Sequence, residues 1–301
     1  MDFGRTDLMY AASNNSLSII KYLVENKADL NIQDNNGYTA LMAATSKGYL
    51  KIVQYLVENK ADLNIQDKCG KTAIMFAVGN NHFTVMKYLV ESGARIDLKT
   101  RNGDSILTYA VVACSLEMVK YFINSGIEVQ DKDCILAIQK QNLEIVKYLL
   151  SFHNISYKTG FLTAVENFDL PIAEYLIKAG ADINIQDDFG NSILIIIIKN
   201  IFNYEKDNFL IRCHRLKFLK YFLDQGINVN LQNKKGKTAL MYAVQYISSE
   251  IVKYLIESQA DVNLKDNEGK TALMYANEIP QDCEYDELIM ESSEIINYLT
   301  L

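Results

Sequence analysis

The chain has 301 residues, 49% of them apolar and 22% charged, which supplies a folded core and excludes wholesale disorder. Its 37 acidic residues outnumber 30 lysines and arginines, and a net charge of −7 argues against gripping nucleic acid or an anionic membrane as the main task. The longest aliphatic run, Ile193 to Ile198, falls far short of the roughly 20 residues a membrane-spanning helix needs.

From its N-terminus onward the chain repeats itself. The stretch TALMAATSKGYLKIVQYLVENKADLNIQD begins at Thr39 and recurs at Thr72 as TAIMFAVGNNHFTVMKYLVESGARIDLKT. Related stretches begin at Thr6, Ser105, Ser192, Thr238 and Thr271. Tyr22, Tyr55, Tyr88, Tyr121, Tyr148, Tyr175, Tyr221, Tyr254 and Tyr298 give a second ruler, with successive spacings of 33, 33, 33, 27, 27, 46, 33 and 44. Nine units follow, at about 1–33, 34–66, 67–99, 100–132, 133–159, 160–186, 187–232, 233–265 and 266–301. With two prolines and fourteen glycines there is little linker material, and one domain over 1–301 is expected.

Within a unit the apolar spacing is helical. Thr39 is placed to cap a short helix carrying Leu41, Ala43 and Ala44. Leu50, Val53, Leu56 and Val57 mark a second, amphipathic helix. Between units, ADLNIQDNNGYT has the Asn, Asp and Gly of a tight turn, with Gly37 free to take positive φ. Alanines 11, 44, 77, 110, 243 and 276 recur where stacked helices approach, whereas the seventh unit has Ile197, which predicts a local distortion.

These residues carry a resemblance. DNNGYTALMAA with KADLNIQD, DNEGKTALMYA and KYLIESQADVN resemble the ankyrin repeat over essentially the full chain. The departure is regular: Met9, Met42, Met75, Met241 and Met274 stand where the family has His, and adaptable apolar packing replaces a hydrogen bond. The resemblance implies an all-α solenoid of about nine helix-turn-helix units with β-turn fingers. Its first unit has no preceding helix to cover it, so Leu8 and its neighbours are expected to be exposed unless something else covers them.

The irregular units carry further expectations. Units five and six are six residues short, and the loss falls in the fingers. Unit seven has thirteen extra residues around Lys199 to Arg212, including Phe202, Tyr204 and Phe209. They read either as two lengthened helices packed on each other or as a second binding element. The last unit has eleven extra residues around Glu278 to Leu288, acidic and holding Pro280. They read as a loop before a final helix over 292–301.

Catalytic chemistry finds no support. His82 and His153 fall in turns, and Cys213 beside His214 point different ways on a helix. No constellation of nucleophile and base, no phosphate-binding glycine loop and no metal-ligand spacing is present, so neither an enzyme nor a cofactor is expected. The five scattered cysteines fit a reducing compartment, and a cytoplasmic location is expected, with a cleaved leader left open. The tyrosine series reads as packing between repeats, and Lys21, Lys87, Lys120, Lys147, Lys220 and Lys253 as a solvated outer face.

Ankyrin-repeat proteins usually bind partners through the fingertips and the exposed face of the first helices. On this sequence the resemblance selects Phe3 and Arg5; Asn36 and Tyr38; Lys68 and Lys71; Arg101 and Asp104; Phe189; Lys234, Lys235 and Lys237; and Lys270. Asp2, Asn35, Cys69, Asn102, Asp188, Asn191, Asn267 and Glu268 complete the finger positions. Eight of these are Lys or Arg and four are Asp or Glu, a positive face on an acidic protein that fits an acidic protein partner. The expected function is a monomeric, non-catalytic interaction module: an adaptor, scaffold or inhibitor. A regulatory subunit or chaperone of an enzyme is the second reading and a nucleic-acid or nucleotide binder the third.

Overall fold

In the computed structural model the described residues are 4–152, 157–202, 209–279 and 286–300, and they form eighteen helices. The chain divides into two compact units, 1–155 and 156–301. The first unit holds α1 (Asp7–Ser13), α2 (Leu17–Glu25), α3 (Ala40–Ser46), α4 (Leu50–Glu58), α5 (Ala73–Gly79), α6 (Phe83–Glu91), α7 (Ile106–Val112), α8 (Leu116–Asn124), α9 (Asp131–Gln139) and α10 (Leu143–Leu150). The second holds α11 (Tyr157–Glu166), α12 (Leu170–Lys178), α13 (Ile193–Phe202), α14 (Phe209–Asp224), α15 (Ala239–Gln245), α16 (Ser249–Glu257), α17 (Ala272–Asn277) and α18 (Asp286–Thr300). Among the described residues there is one isolated β-bridge, Gln186 to Ser192, and no strand.

Each odd-numbered helix pairs with the even one after it, and odd helices stack on odd ones: α1 on α3, α5 and α7 in one unit, α11 on α13, α15 and α17 in the other. The inner helices start where the Thr positions place them. Thr39, Thr238 and Thr271 accept the N–H of Met42, Met241 and Met274 at 3.2 to 3.3 Å. Thr72 makes no such bond, and its hydroxyl is buried without a partner among the described residues. The recurring alanines, together with Met9, Met42, Met75 and Met241, are buried between stacked helices.

Two expectations need correction. Leu8 is not exposed: it is 3% accessible in α1, which packs on α2 and α3, and among the described residues the large exposed apolar side chains of the first repeat are Tyr10, Ile19, Tyr22 and Ile32. Ile197 is fully buried where other repeats have alanine, and α13 runs through it. The final helix begins at Asp286, six residues before Ser292, so Asp286 to Leu288 belong to a helix and not to a loop. Acidic residues in a first turn are favoured by the helix dipole, which the loop reading overlooked.

The shortened fingers are visible as connection lengths. Only 125–130 separates α8 from α9, where 59–72 separates α4 from α5. In repeat seven α13 has ten residues and α14 sixteen, against seven and nine in α15 and α16. The extra residues are therefore, on the described side of the junction, two lengthened helices that pack on each other. Tyr204 lies outside the described residues. Phe218 and Phe222 of α14 meet Phe168 and Phe161 at ring distances of 5.3 and 6.0 Å, anchoring the long helix in the core of its unit.

The outer lysine series divides in two: Lys87, Lys147 and Lys253 pair with Glu91, Glu144 and Glu257 of their own helices, and the other three meet the tyrosine series. Lys21 lies over the ring of Tyr55, Lys120 over Tyr148 and Lys220 over Tyr254, at 5.7, 5.4 and 3.9 Å. Each of these three lysines thus covers the half-buried tyrosine of the next repeat, a cation–π contact that ties neighbouring units at those three places.

Candidate partner-binding surface

A finger is built from one aspartate. Asp34 Oδ1 accepts the N–H of Asn36 at 2.8 Å and of Tyr38 at 2.9 Å, and the Asp34 carbonyl accepts the N–H of Gly37 at 2.9 Å. Gly37, at φ 80°, tolerates that turn, and a Cβ there would sit 2.8 Å from the Lys68 nitrogen of the next finger. Asp67 and Asp187 repeat the arrangement, and Asn233 and Asp266 use the same oxygen position.

Adjacent fingers are bonded to each other. Lys68 N–H donates to Asn36 C=O and Arg101 N–H to Cys69 C=O, both at 2.9 Å; Lys234 N–H donates to Phe189 C=O and Asn267 N–H to Lys235 C=O, both at 3.1 Å. Gln33 Nε2 donates to its own Gly37 C=O at 2.8 Å and to Gln66 C=O of the next unit at 3.0 Å. Gln66, Gln186 and Gln232 do the same. A second ladder runs through the exit turns, where Asn31, Asn64, Asn184 and Asn230 each accept a backbone N–H from the following unit. The I-Q-D and A-D-x-N residues thus fix the fingers in register before any partner arrives.

The selected residues separate into two groups. Asn36, Lys68, Arg101, Lys234 and Lys235 stay exposed on the tips, and Phe189 is 75% exposed. Arg5 is exposed and lies 3.6 Å from buried Asp34. The fifth-position residues fold back onto the inner helices. Tyr38 is half-buried, edge-on to Phe76 at 5.0 Å. Lys71 lies over both Phe76 and Tyr109, at 5.7 and 5.4 Å. Lys237 lies over Tyr242 at 5.8 Å and Tyr275 at 4.6 Å, and Lys270 over Tyr275 at 5.4 Å, paired with Glu278 at 2.8 Å. Asp104 pairs with Lys132 at 3.3 Å. Asn191 is buried and accepts from Asn233, so it does not belong to the exposed set. Phe3 and Asp2 lie outside the described residues.

The inner aromatics Tyr10, Phe76, Tyr109, Tyr242 and Tyr275 are the residues that a reading of the stronger outer tyrosine series misses. Their sign in the sequence is the position just before the recurring alanine, in TAIMFA, SILTYA and TALMYA. Burial raises the Tyr38 hydroxyl pKa, and burial with Asp104 and Asp67 nearby pushes Tyr109 to about 12. Tyr275 is raised by burial and by donating its hydroxyl proton to Asp266. These phenols stay neutral and add no charge to the surface.

Among the described residues no group of three His, Cys, Asp or Glu is placed to hold a metal ion, and no helix is long and apolar enough to cross a membrane. His82 sits at the start of α6, its Nε2 3.1 Å from Ser46 C=O, a link between neighbouring repeats. His153 lies outside the described residues.

Comparison with known proteins agrees with this architecture. A family model described as ankyrin repeats (three copies) matches residues 1–67, 59–133 and 208–287. The nuclear factor NF-kappa-B p105 subunit of Gallus gallus is 28% identical over 121 residues, an alignment covering 32% of this chain and only 12% of that relative. The family matches take in well over half of the chain, and together with the capped helix pairs, the Asp-Gly fingers and the A-D-x-N ladder they place this protein in the ankyrin-repeat family.

Proposed function

We propose that the protein is a non-catalytic, monomeric protein-binding module, taking 1–301 as one ankyrin-repeat domain that acts as an adaptor, scaffold or inhibitor. It holds an acidic surface of a protein partner against its fingertips and the exposed face of its inner helices. The observation that carries this reading is the seating of finger lysines on inner-helix rings: Lys71 over Phe76 and Tyr109, Lys237 over Tyr242 and Tyr275. A rigid aromatic wall with ammonium groups held at its edge offers large contact area at low ordering cost, and the charges select an acidic counterpart. Lys68, Arg101, Lys234 and Lys235 extend the same sign to the tips. A cytoplasmic setting belongs to the same proposal, supported by Cys69, Cys114, Cys134 and Cys213 being free thiols.

The test is capture from the native cell followed by mass spectrometry, comparing the wild type with a Tyr38→Ala, Lys71→Ala, Lys237→Ala variant of unchanged helical signal. A stoichiometric partner lost by the variant supports the proposal. A partner retained by the folded variant moves the site off this face.

A further inference from the structure

We infer that the lengthened α13–α14 pair is a second wall of the partner site, receiving an acidic segment of the partner that crosses the inner helices of residues 156–301 from the fingers. This rests on the protein-binding reading above.

The fingers join the N-terminal ends of the inner helices, and the extension lies at the opposite end of α13. At 1.5 Å per residue, ten-residue α13 is about 15 Å long and seven-residue α15 about 10 Å. The extension therefore rises about one helical turn above its neighbour. It is held there. Phe202 stacks on Tyr246, the residue that caps the C-terminus of α15, at 4.8 Å with planes 10° apart, and the Arg215 guanidinium donates to Asn200 C=O at 3.1 Å while covering Phe168 at 4.9 Å. A cation on the terminal carbonyls also suits the helix dipole.

The wall is charged toward the same partner. Arg212 is exposed, over Phe202 at 5.7 Å, and Lys199 lies over Tyr242 at 5.9 Å. Tyr242 is also the ring under finger residue Lys237, so one inner-helix aromatic carries a cation from the finger and a cation from Lys199, the last residue of α13 before the extension. Leu210 and Ile211, 71% and 45% exposed, add apolar surface at the start of α14. Cations at both ends of an aromatic floor complement a chain segment that alternates carboxylates with apolar groups, and α14 itself, from Arg212 to Lys220, carries no acidic residue. A regular repeat, ending its inner helix after seven residues, presents the finger end alone.

The experiment uses the full chain and a fluorescein-labelled peptide of alternating glutamate and tyrosine, followed by anisotropy at low ionic strength. Arg212→Glu with Lys199→Gln should weaken binding about tenfold, as Lys237→Glu should. A photo-crosslinking side chain in place of Leu210, in the otherwise unchanged chain, should join to the peptide, a readout independent of any folding defect in the charge variants. Loss of binding in Lys237→Glu alone, with no cross-link at position 210, overturns this inference and leaves the protein-binding reading standing. A wild type that does not bind the peptide overturns the acidic-partner reading itself. Tighter binding of a single-stranded DNA than of the peptide overturns the assignment of partner class.

Discussion

Thr108 donates its hydroxyl to Asp133 at 2.7 Å, with both side chains buried between α7 and α9. Thr108 occupies the place of Met42 and Met75 in the preceding repeats, so a polar pair replaces apolar packing where the short fifth repeat begins. Gln130 N–H supplies the second bond to Asp133, at 3.1 Å. Burial nevertheless raises the Asp133 pKa above its ordinary 3.8, outweighing Thr108, Gln130 and the nearby Lys132, while Asp104 adds to the rise.

A pH dependence follows from that shift. The folded chain keeps the Asp133 proton over an interval in which the unfolded chain has lost it, so this contribution to stability is fully present below pH 3.8 and falls as pH rises through the folded pKa. Asp133→Asn keeps both bonds, its oxygen accepting from Gln130 and its amide donating to Thr108. The variant should be more stable at neutral pH by on the order of 1 kcal/mol and lack the decline. Urea unfolding of both proteins across acidic to neutral pH checks this.

The approach of one finger to the next is measurable at glycine. A Cβ on Gly37 meets the Lys68 nitrogen at 2.8 Å and Asp67 Cα at 2.9 Å, whereas a Cβ on Gly103 meets nothing within 4 Å. Both have positive φ, 80° and 77°. Gly103→Ala should cost about 1–2 kcal/mol from its backbone alone. Gly37→Ala should cost at least about 1 kcal/mol more, because the neighbouring backbone must shift. Equal losses in denaturant titration would show that the fingers do not touch.

The glutamine ladder makes a smaller prediction. Gln66→Ala removes bonds to Gly70 C=O at 2.6 Å and Lys99 C=O at 3.0 Å, about 1–2 kcal/mol in all. Loss should appear locally, as faster amide exchange in the turns at 67–71 and 100–104, with the helices little changed.

Much of this fold is legible in the sequence because the repeat prints each element several times. Thr39, Leu50, Val53 and Leu56 predict a cap and an amphipathic helix from purely local rules, and the structure places them so. The coupling between repeats is harder to read. Lys21 and Tyr55 stand 34 residues apart and form recognisable series, yet nothing local joins them. Gln33 looks like an ordinary polar turn residue, and its value lies in a carbonyl 33 residues away. Asp286 and Glu287 resemble loop residues because charge is read as solvent exposure, yet the backbone there is already helical. On the candidate surface the finger tips follow from the repeat register. That Lys71 and Lys237 turn inward onto Phe76, Tyr109, Tyr242 and Tyr275 depends on rings supplied by two successive repeats, and only the folded chain brings them together.

Amide hydrogen exchange of the full chain, alone and saturated with the captured partner, tests the partner surface most directly. The expected result is protection on binding in the fingers at 34–38, 67–71 and 233–237 and in the inner helices behind them, weakening as salt is raised. Protection confined to the outer helices α4, α6 and α16, with the fingers exchanging as in the free chain, would contradict it.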